Sequence, residues 1–165
     1  MFFRAAKDLT DAVADLQEIS RGIHPAILSK GGLTPAIKTL ARRSAVAVEL
    51  DLQVERRLPQ QVEVAAYYVV SEALTNVAKY AHASLVNIDV RANESAIELT
   101  IRDDGIGGAD PTRGSGLVGL KDRVEALGGT ITVAGRSGQG TSVVARIPID
   151  RKSGIDAERR QAVAR

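Results

Sequence analysis

Four stretches of this chain alternate apolar and polar residues one by one, the period of a strand with one face against a core. Val48, Leu50, Leu52 and Val54 share the inward face of the first, which Leu58-Pro59 breaks. From Leu85 to Arg91 the inward set is Val86, Ile88 and Val90. From Ile97 to Asp103 it is Ile97, Leu99 and Ile101, with Asn93-Glu-Ser95 as the turn between the two runs. Thr141, Val143, Ala145 and Ile147 line up in the last run, which closes a hairpin with Thr130 to Ala134 around Gly135 to Gly140. In the third run the next inward position is Asp103. A carboxylate in line with core residues is costly to bury unless a donor meets it, so Asp103 either finds one or sits on a frayed strand end in water. Thr141 points inward at the start of its strand, as Asp103 does at the end of another.

Between the strands the period becomes helical. Leu9, Val13, Leu16, Ser20 and Ile23 recur at spacings of 4, 3, 4 and 3, a heptad seam that wants a partner helix and is ended by Gly22 and His24-Pro25. Thr34-Pro35 reads as an N-cap followed by proline at N1, opening a helix to about Ala45 with Ile37, Leu40 and Ala41 inward. The longest helix is expected from about Gln60 to Ala81. Leu117, Leu120, Val124 and Leu127 give another, stopped at Gly128-Gly129. After Pro148 the arginine-rich tail has no apolar face, and residues 151–165 are expected to be mostly disordered.

On the longest helix Val70, Leu74, Val77 and Ala81 form an apolar stripe, and Glu72, Asn76 and Lys79 a polar one at i, i+4 and i+7. An acid, an amide and a base a turn apart suit a magnesium nucleotide: the carboxylate can orient a water, the amide oxygen can ligate the metal and the ammonium can meet a phosphate. The same stripe also suits a solvated helix face. Gly105, Gly107, Gly108, Pro111 and Gly114 make residues 104–115 a loop. Gly114, Gly116 and Gly119 match GxGxxG, but no strand directly precedes them and the position 20 beyond Gly119 is Gln139, which argues against a dinucleotide turn. What survives is bare backbone N–H groups at a helix start, suited to phosphate oxygens.

Composition narrows the rest. A length of 165 residues suits one domain with a packed core and a small appendage. The 22 basic and 20 acidic residues are spread along the chain and only 3% of residues are aromatic, so nucleic acid is not implied. Without cysteine, disulfides, thiolate catalysis and zinc–cysteine sites are excluded. No run approaches a membrane span, and Met1-Phe-Phe-Arg4 leads into no signal h-region. A soluble, cytoplasmic chain without direct membrane contact is expected, or the cytosolic end of something longer.

Taken together, EALTN from Glu72, DDGIG from Asp103, GSGLVGL from Gly114 and GQGT from Gly138 closely resemble, in order and spacing, the N, G1, G2 and G3 boxes of the histidine-kinase ATP-binding domain. That domain belongs to the superfamily shared with gyrase, the Hsp90 chaperone and the MutL repair protein. RGIHP and GSGLVGLKDRVEALGG look like the NarL-partner type of sensor kinase, and the resemblance covers about Ala12 to Ile149. It implies an α/β two-layer sandwich of the Bergerat type, a mixed β-sheet with three helices on one face, preceded by the remnant of a helical hairpin. The expected division is residues 1–30 for that remnant and a linker, 31–149 for the catalytic ATP-binding domain and 150–165 for a tail. It further implies ATP and Mg2+ as cofactors. Asp103 matches the aspartate that accepts from the adenine amino group, and Gly105 and Gly107 the glycines that let backbone approach the purine. Asn76 corresponds to the magnesium-ligating asparagine, and Lys79 lies where a base contacts phosphate. Gly114, Gly116, Leu117 and Gly119 correspond to the lid and phosphate-cradling turn, and Thr141 to the threonine near adenine. Glu72 aligns with the acid that activates water or, in kinases, helps to position the acceptor histidine.

The departures bear on activity. Neither His24, followed by Pro25, nor His82, followed by Ala83, fits the acceptor pattern of histidine then acid, and Tyr80 stands where many relatives have histidine. The chain is therefore expected to bind ATP without labelling itself. The resemblance implies the γ-phosphoryl group passing to a histidine on the dimerisation and phosphoacceptor domain of a parent kinase, then to the receiver domain of a response regulator. Two other readings remain: a serine kinase of the anti-sigma type, against which the Leu9 to Ile23 seam speaks, and a non-catalytic nucleotide-binding interaction module.

Overall fold

The structure, a computed structural model, describes residues 25–108 and 115–149. A short helix α1, Ala26–Gly31, turns through Gly32 into α2, Leu33–Arg43. Strand β1, Ala47–Gln53, leads by way of Pro59 to α3, Gln60–Asn76, which continues as a π-helical turn, Val77–Ala81. Strands β2, Leu85–Ala92, and β3, Ala96–Asp103, precede α4, Ser115–Ala126; β4, Thr130–Gly135, and β5, Thr141–Pro148, close the chain. The sheet order is β1-β2-β3-β5-β4, with β1 parallel to β2 and every other pair antiparallel.

Register converts the four alternating runs into one apolar surface. Leu50, Ile88, Ile101, Val143 and Val133 form a row across all five strands, and Leu52, Val90, Leu99, Ala145 and Ile131 form the next. Helices α2, α3 and α4 cover that face: Ile37, Val69, Val70, Ala73, Leu120 and Val124 join the strands in a single buried cluster. Each fully buried aliphatic side chain there contributes about 1.5–3 kcal/mol, and a one-residue slip would turn a whole strand's set into water. The opposite face is polar, with Arg91 to Asp51 at 3.5 Å and Arg146 to Glu98 at 3.3 Å bridging strands. This is the two-layer α/β arrangement expected, with three longer helices on one side.

Four details differ from the expectation or lie beyond it. First, α2 starts at Leu33 with Gly32 as its cap instead of Thr34, and it ends at Arg43, short of Ala45. Gly32 has φ 76°, and a Cβ there would lie 2.9 Å from Arg57 Cδ, so the corner between α1 and α2 is open to glycine alone. Second, α1 lay outside the expected elements. Its Leu28, on the linker side of the boundary placed at residue 31, is fully buried in the common core. Third, the longest helix is α-helical only to Asn76. Thr75 Oγ1 donates back to the Ser71 carbonyl at 2.9 Å just before the π turn, and His82, at φ 49°, ends it. Fourth, Glu63 is 1% exposed in the first turn of α3, where an acid ordinarily faces water. Arg57 Nε and Nη2 donate to its two oxygens at 3.0 Å each, Leu58 N–H donates at 3.0 Å, and Arg57 Nη2 also reaches the Leu28 carbonyl at 3.1 Å. The pair thus ties α1 to α3. Glu63 holds the Arg57 guanidinium above its ordinary pKa through hydrogen bonding and charge.

The helix stop at Gly128-Gly129 is as expected. Gly129 N–H donates to the Val124 carbonyl at 3.0 Å and Gly128 N–H to Glu125 at 2.9 Å, with Gly128 at φ 75°. The heptad seam from Leu9 to Ile23, the Gly22 and His24 stop, Gly114 and the tail from 151 lie outside the described residues.

Candidate functional site

The strand registers bring Asp103 to the end of the sheet in the row of Val48 and Val86, on the core face. Continuing the β3–β5 register one step past Arg102 and Ser142 sets Thr141 beside it. Asp103 is half-buried, so it is neither sealed among hydrocarbon nor free in water. Its Oδ1 accepts from Gly105 N–H at 2.8 Å, which leaves acceptor capacity on the other oxygen.

Backbone bonds strap the loop that follows. Ile106 N–H donates to the Ala81 carbonyl at 2.8 Å, and the Ile106 carbonyl accepts from Gly138 N–H at 2.6 Å, so residues 104–108 are held between the π turn and the β4–β5 hairpin. A Cβ on Gly105 would collide with the Ala81 carbonyl oxygen and lie 2.8 Å from Asp103 Oδ1. One on Gly107 would collide with the Arg136 carbonyl oxygen and lie 2.7 Å from that of Gly140. Gly140 itself rests on the Asp103 carbonyl. Asp104 pins the other side: its Oδ1 accepts from Ser84 N–H at 2.7 Å and Leu85 N–H at 2.9 Å. Those two bonds hold its carboxyl below the usual carboxylate range.

The second half of the site lies along α3. Glu72 is half-buried and its carboxylate sits against Gly116 in the first turn of α4: a Cβ on Gly116 would collide with Oε1 and lie 2.7 Å from Cδ. Only a bare glycine lets the acid come this close to a helix N-terminus, whose positive end favours anions. Asn76 follows one turn on, half-buried, at the last α-helical position. Lys79 lies on the π turn, exposed; there each residue advances by less than the α-helical 100°, so it lags the stripe that Glu72 and Asn76 define. Leu117 packs against the core, while Gly119 is exposed within α4, a turn beyond the helix start. Glu72 and Ala81 are nine residues apart on one helix, roughly 13 Å along its axis, so the acid and the strapped loop mark two ends of one surface.

Of the expected residues, Asp103, Gly105, Gly107 and Thr141 gather at the sheet end, and Glu72 and Gly116 meet where α3 touches α4, with Asn76 one turn further along α3. Gly114 lies outside the described residues. Sequence reasoning missed Gly140 and Asp104 as site-building residues. The G3-like GQGT stretch contributes only Thr141 to the expected set, yet its second glycine is what closes against Asp103. The second acid of DDGIG carried a signal too, since an Asp beside a turn commonly accepts from nearby backbone N–H groups.

Comparison with known proteins agrees with this geometry. Residues 61–151 match the family model described as histidine kinase-, DNA gyrase B-, and HSP90-like ATPase. The chain is 30% identical over 151 residues to the signal transduction histidine-protein kinase/phosphatase DegS of Brevibacillus brevis, covering 87% of this chain and 39% of that protein. It is 29% identical over 146 residues to the oxygen sensor histidine kinase NreB of Staphylococcus carnosus, covering 83% and 42%. It therefore spans about two-fifths of the length of these curated relatives. Among solved structures, the histidine kinase domain of a blue-light activated kinase from Erythrobacter litoralis superposes with TM-score 0.56 at 26% identity, over 70% of this chain and 57% of that one. The ATP binding domain of PrrB from Mycobacterium tuberculosis, at 22% identity and TM-score 0.57 over 72% and 91%, shares the fold. With the family model spanning more than half its length, the chain belongs to the histidine kinase-, DNA gyrase B- and HSP90-like ATPases.

Proposed function

We propose that this chain is the catalytic, ATP-binding module of a two-component sensor histidine kinase. It presents the γ-phosphoryl group of MgATP to a histidine on the dimerisation and phosphoacceptor domain of its parent, for relay to the receiver domain of a response regulator. The observation that carries the reading is Asp103. Its Oδ1 is fixed by Gly105 N–H at 2.8 Å, and the acceptor capacity left on the other oxygen supports recognition of the adenine amino group there. Thr141 would flank the base, and Gly105 and Gly107 would let backbone approach it.

The phosphates would lie toward α4, at the N–H groups near Gly116, with Leu117 and Gly119 behind them. Lys79 would meet a phosphate from the exposed side. The half-buried Asn76 amide oxygen would hold a Mg2+ ion that arrives with the nucleotide. When bound, the ion neutralises charge developing on the transferred group. Glu72 would orient the acceptor at the α4 N-terminus, so that catalysis is chiefly positioning.

No helix among the described residues is long and apolar enough to cross a membrane, which is compatible with a cytoplasmic module. Isothermal titration tests the reading: wild-type chain is expected to bind MgATP, and Asp103→Asn to lose affinity for ATP and adenosine alike, because the lost acceptor serves the base. Unchanged affinity in Asp103→Asn removes Asp103 from the site.

A further inference from the structure

Among the described residues of α4, Leu120 and Val124, one turn apart, are buried, and Leu117 packs half-buried beside them. An apolar seam of this kind leaves the angle between helices to contacts toward its two ends. Two contacts set it. Near the N-terminus Gly116 lies against Glu72. Two turns later the Arg123 guanidinium stacks over the Tyr68 ring, Cζ 4.7 Å from the centroid. Tyr68 and Glu72 are one turn apart on α3, in the opposite order to their partners on α4, so the pair of contacts fixes the angle between two antiparallel helices. Tyr67 meets Tyr68 edge-on, centroids 5.6 Å apart at 79°, and holds the plane on which the guanidinium rests.

We propose that Arg123 is a positioning residue: by stacking on Tyr68 it holds the N-terminus of α4 against Glu72 and so sets the grip on the nucleotide's phosphates without touching the nucleotide. The inference rests on the nucleotide reading above. The adenine end is strapped to the π turn, the β4–β5 hairpin and β2 by backbone bonds and by the Asp104 carboxylate, none of which involves Arg123 or Tyr68. Losing the stack therefore lowers the population of the phosphate-competent arrangement and leaves base recognition alone.

Isothermal titration with MgATP and with adenosine separates the two ends. Arg123→Ala is expected to weaken MgATP about fivefold, the size of a partly exposed cation–π contact, with adenosine affinity unchanged. Tyr68→Leu, acting from the other helix, is expected to match it. The double variant is expected to be no weaker than either single one. Circular dichroism checks folding; where Arg123→Ala does not fold, Tyr68→Leu decides. Wild-type MgATP affinity in Arg123→Ala or Tyr68→Leu, additive losses in the double variant, or equal weakening of both ligands overturns the inference while the nucleotide reading stands. A wild-type chain that takes neither ligand overturns both.

Discussion

Replacing Gly140 by alanine tests whether the β4–β5 hairpin is seated on Asp103 as described. Gly140 has φ 70°, a conformation that costs alanine about 1–2 kcal/mol. Its added Cβ would collide with the Asp103 carbonyl oxygen and lie 2.9 Å from the carbonyl carbon and 3.3 Å from Gly105 N. All three atoms are backbone, so no rotamer relieves the clash. The hairpin must move off β3, at a further cost of about 1–3 kcal/mol. Gly138, in the same turn, is the control. It has φ 78° but nothing within 4 Å of an added Cβ, so Gly138→Ala incurs the conformational cost alone. Thermal unfolding without nucleotide is expected to place Gly140→Ala roughly 6–15 °C below wild type and Gly138→Ala only about 3–6 °C below. MgATP titration is expected to fail for Gly140→Ala alone, because Asp103 moves with its carbonyl. Equal melting points for the two variants would refute the contact that orders this end of the site.

Further outcomes follow from the polar contacts. Asp104 is held below its ordinary pKa by the Leu85 and Ser84 N–H groups, so its ionised form stabilises the fold. That contribution is fully present above the unfolded value, near 4, and is lost as pH falls through the lower folded value. Asp104→Asn should be less stable than wild type at pH 7, and urea titrations should show the gap closing below about pH 4; a gap independent of pH would contradict the assignment. Arg57→Ala should destabilise more than Glu63→Gln, since the first leaves a carboxylate at 1% exposure without its guanidinium, whereas the second leaves an arginine that can turn to water. Urea midpoints in the reverse order would show that Glu63 is less sequestered than its surroundings indicate.

Much of this was legible in the sequence, and the reason is physical. Strand alternation has a period of two, so Val86, Ile88 and Val90, or Ile97, Leu99 and Ile101, declare their face without help from the rest of the chain. The same count put Asp103 on that face one step further on, and the register agrees. Gly128-Gly129 was legible because a helix stop needs a positive φ at one place. What escaped depends on distant partners. Gly32 caps α2 because Arg57 lies over it, and nothing near Thr34 reports that. Glu63 looks like any acid at a helix start until Arg57 and the Leu28 carbonyl are brought to it. The π turn is invisible to a helical period: Val77 and Ala81 are buried either way, and the apolar stripe reads the same through both. Lys79, on the exposed side of that turn, is where the straight-helix projection fails first.

The two ends of the site are made of different materials. Around Asp103 the walls are mostly backbone carbonyls and amides, closed by glycines and the Asp104 carboxylate, whereas α4 meets α3 through an acid, an arginine and a ring. On the reading proposed above, substitutions that spare those glycines and Asp104 would leave the base end intact, while one exchange at Arg123 or Tyr68 would alter the hold at the phosphate end.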